Sequence, residues 1–240
     1  SKANPTDDDT ELFRPLLRPP MALLRVLDDG EQEGEEVRIR ATPFVIGRAE
    51  GNLVIPHDSG MSGRHAELCR VIEEGIYRWY LRDLQSTNGT FVRISNSLLK
   101  HDSELLIGGL RLRFSLTMPN PSDEVSGASR LATTQKWSVP DQSATSAAEL
   151  ILLTPQGDGP RYSIVGEETW IGRDKSRCSI VLDHSMVSPR HARITRNARG
   201  RWMIHNERSL NGLWLRVLEI PLIRGGQFQC GEQRFLIRIS

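Results

Sequence analysis

Two stretches decide how this chain is read: Ser62-Gly63-Arg64-His65-Ala66 and Ser188-Pro189-Arg190-His191-Ala192. Each follows a Gly-Arg pair, Gly47-Arg48 in the first case and Gly172-Arg173 in the second. Each precedes a Ser-x-Asn-Gly turn, Ser86-Thr87-Asn88-Gly89 or Ser209-Leu210-Asn211-Gly212, and then a second glycine landmark, Ile107-Gly108 or Cys230-Gly231. The offsets between copies are 125, 126, 123 and 123 residues. Four landmarks in one order, with offsets within three residues, describe one unit written twice. Two long copies make a tandem duplication, not a solenoid.

Both copies read as strands. Short apolar runs with alternation are cut by Gly, Asn, Asp and Pro, and no window carries a 3.6-residue stripe. The first copy has Ala22–Leu27, Glu36–Arg40, Phe44–Ile46, Ala66–Val71, Ile76–Leu81 and Leu110–Leu116. The second has Leu150–Thr154, Arg161–Val165, Thr169–Ile171, Ser179–Leu182, Ala192–Arg196, Arg201–Ile204 and Arg234–Ile239. Many short strands with turns every 8–12 residues predict an all-β chain of two β-sandwiches. Residues 119–148 are rich in Ser, Thr, Ala and Pro, bury too little to offset their ordering entropy, and read as a flexible linker. The expected organisation is therefore an acidic tail at 1–20, a first domain at 21–118, the linker at 119–148 and a second domain at 149–240.

Composition narrows the function classes. With 38% hydrophobic and 25% charged residues, the chain has enough apolar material for a packed core. No run approaches the ~20 apolar residues that cross a bilayer, and the acidic start has no secretory pattern, so no membrane role is expected. Three scattered cysteines (Cys69, Cys178, Cys230) offer neither a disulfide framework nor a zinc spacing and point to a reducing, cytoplasmic setting. Net charge is +1 overall but uneven: 15 basic against 18 acidic residues in 1–118, and 14 against 8 in 151–240. The arginines at 190, 193, 196, 199 and 201 read as a solvated hairpin face, and nucleic acid is disfavoured as a partner. Trp79, Trp170, Trp202 and Trp214 read as packing residues.

The repeated polar residues offer donors. An Arg after a turn glycine presents a planar fork to a phosphate. A loop Ser contributes a hydroxyl, and an Asn before Gly tolerates the left-handed region and projects its amide. No carboxylate pair and no nucleophile–base–orienter trio recurs, so an enzyme is not expected and neither cofactor nor metal is called for.

Gly-Arg, then Ser-x-x-His, then Asn-Gly at these spacings resembles the forkhead-associated (FHA) domain, twice over, across about residues 22–117 and 149–240. The resemblance implies two eleven-stranded β-sandwiches whose loops bind phosphothreonine peptides. By that likeness Arg48 and Ser62 contact the phosphate, Thr87 supports it, the Gly63 N–H adds a donor and Asn88 holds the peptide main chain. Arg173, Ser188 and Asn211 are the second set. His65 and His191 are structural beneath the loops, with Gly47, Gly172, Gly89 and Gly212 shaping them. Pro189 lacks the N–H that Gly63 offers, and Leu210 lacks the hydroxyl of Thr87, so the first domain is expected to be the stronger reader. Thr10, in the acidic run Thr6–Glu11, is similar to the kinase-targeted threonine tails of small bacterial FHA signalling proteins, which implies self-docking on phosphorylation. The implied partners are phosphothreonine-containing proteins and a Ser/Thr kinase. A phosphorylation-independent scaffold or dimerisation module, and a nucleic-acid accessory acting through the basic second copy, stand as alternatives.

Overall fold

The computed structural model describes residues 19–27, 34–117 and 147–240. The Thr10 tail and nearly all of the linker lie outside the described residues. All regular structure among them is strand: β1 (Ala22–Leu27), β2 (Glu36–Ile39), β3 (Phe44–Gly47), β4 (Leu53–Val54), β5 (Ala66–Glu73), β6 (Ile76–Asp83), β7 (Thr90–Ile94), β8 (Asn96–Leu99), β9 (Glu104–Ile107) and β10 (Leu110–Thr117) in the first copy. The second copy follows with β11 (Ala147–Thr154), β12 (Gly157–Ile164), β13 (Glu168–Gly172), β14 (Ile180–Val181), β15 (Ala192–Arg196), β16 (Trp202–Asn206), β17 (Leu213–Val217), β18 (Glu219–Leu222), β19 (Gly225–Cys230) and β20 (Gln233–Ile239). Among the described residues each copy thus contributes ten strands, where the resemblance implied eleven. No helix among the described residues is long and apolar enough to cross a membrane.

The copies do not fold separately. A ten-stranded sheet runs β12-β11-β10-β9-β17-β7-β19-β20-β1-β2 through both sandwiches and faces two five-stranded sheets, β18-β6-β5-β3-β4 and β14-β13-β15-β16-β8. Strand β18 of the second copy pairs with β6 of the first, with Ile220 opposite Leu81. Reciprocally, β8 pairs with β16, with Leu99 opposite Trp202. Reading the large sheet from either end gives the same order once each strand is replaced by its counterpart ten strands away. That is pseudo-twofold symmetry with an exchange of segments inside one chain, the intramolecular form of a domain swap.

The cores record the same exchange. Ile46, Leu68, Trp79 and Leu81 of the first copy pack with Phe228, Cys230, Phe235 and Ile237 of the second. Ile171, Ala192, Ile194 and Ile204 pack with Leu105, Ile107, Leu112 and Phe114 of the first. This redraws the expected boundaries, 21–118 and 149–240: each sandwich is the front of one copy closed by the back of the other. The physical reason is that the copies carry the same alternation, so local pattern does not choose between a strand's own copy and its twin. Thr117 pairs with Ala147, so both ends of the 118–146 segment meet on one sheet, and Ala147 and Ala148, expected in the linker, belong to β11.

Trp79, Trp202 and Trp214 are buried. Trp170 instead lies on the outer face of its sheet, with Arg190 stacked 3.5 Å and Arg193 5.3 Å from the ring centre.

Candidate phosphopeptide site

Three loops meet at one end of the first sandwich. Gly47 closes β3, and the backbone there runs so near the next loop that a Cβ on Gly47 would stand 2.1 Å from the Gly63 carbonyl oxygen. Gly172 is held equally close, 2.2 Å, to the Pro189 carbonyl. Glycine is required by contact, and the gain is that the Arg beside it is pulled against the Ser loop. The Arg48 N–H donates to the Ser62 carbonyl at 2.9 Å, and the Gly63 carbonyl accepts from Ala49 and Glu50.

Ser62 is half-buried, with its hydroxyl oxygen accepting the Thr87 N–H at 3.0 Å. With a lone pair spent this way, the O–H proton is left free to donate. Arg48 and Thr87 are exposed beside it. Asn88 spends one N–H on the Gly60 carbonyl at 2.8 Å, which staples the two loops together and leaves its Oδ1 and second N–H available.

His65 is fully buried beneath these loops. Its Nδ1 accepts the Ser62 N–H at 3.0 Å, so Nε2 carries the proton and donates to the Gly89 carbonyl at 3.1 Å. Burial pushes its pKa below the ordinary 6.5, against the opposing pull of the Gly89 bond and of Asp83 and Asp58, so the ring stays neutral.

The second site repeats this geometry. The Arg173 N–H donates to Ser188 O at 3.0 Å, Leu210 N–H to Ser188 Oγ at 3.1 Å, and Asn211 Nδ2 to Met186 O at 2.8 Å. His191 bridges Ser188 N–H and Gly212 O at 3.1 and 3.0 Å, and burial lowers its pKa as well. The departures lie at the surface. Leu210, 86% exposed, replaces Thr87, and Pro189, which has no N–H, replaces Gly63.

Sequence reasoning passed over the residues that build the Asn-Gly turns. Asp83 accepts from Ser86 N–H, Ser86 Oγ and Thr90 Oγ1, and Ser86 Oγ in turn accepts the Gly89 N–H at 3.0 Å. Asn206 and Ser209 do the same work in the second copy. The repeated Ser of each Ser-x-Asn-Gly turn was the available signal. Asp58 was also missed: its carboxylate takes the Glu232 and Gln233 N–H groups at 2.8 and 3.0 Å, so a turn of the second copy braces the first site's loop.

The two sites share a groove of about 1240 Å³ whose lining includes Asn88, Asn211, Phe91 and Trp214. It lies on the side of the large sheet away from the cores, where Phe91, Leu106 and Trp214 form a separate buried cluster.

The FHA domain family model matches residues 44–108 and 169–228. FhaB of Mycobacterium tuberculosis, an FHA domain-containing protein, is 36% identical over 67 residues, which is 28% of this chain and 41% of FhaB. FhaB of Mycolicibacterium smegmatis matches to the same extent. Among solved structures, Mycobacterium tuberculosis EmbR in complex with a low-affinity phosphopeptide is 29% identical over 34% of this chain and 22% of that one, with a TM-score of 0.21. FHA-1 of Mycobacterium tuberculosis Rv1747 is 24% identical over 34% of this chain and 89% of its own, with a TM-score of 0.22. The two matched segments cover more than half of the chain, which therefore belongs to the FHA domain family as a tandem FHA protein.

Proposed function

We propose that the chain is a phosphothreonine-peptide-binding adaptor, non-enzymatic, whose first site is the stronger reader and which acts downstream of a Ser/Thr kinase. The observation that carries this reading is the state of Ser62. Its oxygen accepts the Thr87 N–H, which leaves its proton free to donate, and Arg48, whose backbone N–H is bonded to the Ser62 carbonyl, is exposed. A guanidinium and a hydroxyl donor on one rigid surface suit a phosphate dianion, and they lose their partner when threonine is unmodified. The self-docking of phosphorylated Thr10 belongs to the same proposal. Calorimetry with a phosphothreonine nonapeptide tests the reading. The Arg48→Ala chain should lose first-site binding while remaining folded; unchanged affinity in a folded variant would refute it.

A second reading, phosphorylation-independent docking, is favoured at the second site by one observation. Leu210 and Met186 are exposed there, at 86% and 42%. Binding that persists in the Arg48→Ala/Arg173→Ala chain would support it.

A further inference from the structure

Each Asn-Gly turn is covered by an arginine from the opposite half of the chain. Gly89 has φ +83°, and a Cβ there would stand 2.5 Å from Arg216 Nε on β17. Gly212 has φ +76°, and its Cβ would stand 2.6 Å from Arg93 Nε on β7. Arg93 and Arg216 are counterparts, 123 residues apart, but their electrostatic settings differ.

Arg216 donates to Glu104 at 2.6 Å, and the same carboxylate takes Arg111 at 2.8 Å. Burial pushes the Glu104 carboxyl up, but the bonds from Arg111 and Arg216 prevail and hold it below the usual range. Arg216 is therefore paired with a fixed anion that it shares with Arg111. The position equivalent to Glu104 in the second copy is Gln227, also 123 residues on. Arg93 donates to its Oε1 at 2.7 Å. An amide satisfies the hydrogen bond and leaves the charge in place. Arg93 is exposed, and among the described residues it makes no ion pair.

We propose that Arg93, delivered from the first copy by the exchange, is part of the second phosphopeptide site and binds an acidic side chain close to the phosphothreonine. The second site then reads phosphothreonine plus a neighbouring carboxylate, while the first, whose Arg216 is spent on Glu104, does not. The cation beside Gly212 offsets the donors lost at Pro189 and Leu210. This inference rests on the phosphothreonine reading of the second site and adds its ligand class and its dependence on the other half of the chain.

The test uses the full chain carrying Arg48→Ala and two sets of labelled phosphothreonine nonapeptides. The sets are identical except for Asp or Asn at each of the three positions on either side of the phosphothreonine. Anisotropy titration should show the best Asp peptide binding about tenfold more tightly than its Asn twin, with the difference shrinking as salt rises. Arg93→Gln should remove the preference, bringing the Asp and Asn peptides to equal affinity. Gln227→Glu should remove it too, by giving Arg93 an internal partner. Glu104→Gln, in a chain with Arg48 intact and Arg173→Ala, should create the preference at the first site. Equal affinity for Asp and Asn peptides, or a preference untouched by Arg93→Gln, overturns the assignment alone. Loss of all binding in the Arg48→Ala chain overturns the second-site reading and the assignment with it.

Discussion

Val92 faces Leu215 across the β7–β17 ladder, and the two are counterparts, 123 residues apart in the duplicated sequence. A residue paired with its own repeat marks the pseudo-twofold axis. On either side of it Thr90 meets Val217 and Ile94 meets Leu213. The exchange therefore pivots on one pair of strands, and Leu215 packs against both cores.

From that position follows a stability prediction. Leu215→Ala removes apolar contact from two cores at once and should cost about 2 kcal/mol, the low end for Leu→Ala because the residue is half-buried. Differential scanning calorimetry should show one cooperative transition that moves down as a whole. Two separate transitions, only one of them displaced, would contradict a shared fold.

At the first site, Ser62→Ala removes a free donor and leaves the Thr87 N–H without its acceptor. Hydrogen bonds to a charged group are worth roughly 1.5–3 kcal/mol, so phosphopeptide affinity should fall about 10- to 100-fold. Calorimetry on the full chain reads this directly. A loss below threefold would remove Ser62 from the site.

The second site should gain from the reverse change. Pro189→Gly together with Leu210→Thr restores an N–H and a hydroxyl where Gly63 and Thr87 stand in the first copy. In an Arg48→Ala background, phosphopeptide affinity should rise at least about tenfold. No gain would place the difference between the sites elsewhere in the loops.

Acid should loosen the fold through the two buried histidines. Burial holds His65 and His191 below 6.5, so as pH falls through 6.5 the unfolded chain takes up protons that the folded chain refuses. Stability is full above about pH 6.5 and declines below it, by up to about 1.4 kcal/mol per pH unit for each ring. Urea midpoints at pH 7.5 and 5.5 should differ accordingly, above the range where carboxylates titrate. Equal midpoints would show that neither ring is held neutral.

How much of this was legible beforehand depends on range. Ala22–Leu27 and Ala192–Arg196 coincide with observed strands because alternation and bounding turns are local signals. The Ser-x-x-His and Asn-Gly elements were legible as a candidate site for the same reason: each loop lies within one short stretch. The exchange was not. Strands β7–β9 and β17–β19, which carry it, are absent from the strands read off the sequence, and nothing in Asn96–Leu99 distinguishes β16 from β6 as a partner. Arg93 and Arg216 went unnoticed as neighbours of the turns because the exchange alone brings them to Gly212 and Gly89.

The most direct test cuts the chain between the copies. A protease site placed within residues 118–146, whose flanking ends Thr117 and Ala147 pair on one sheet, leaves every described strand intact. With segments exchanged, each fragment supplies strands to both sandwiches, so the cut protein should elute from size exclusion at the position of the uncut one, and the fragments should part only in denaturant. Two folded fragments separating in native buffer, each at about half the mass, would contradict the interlocked arrangement and, with it, the sharing of one groove by both sites.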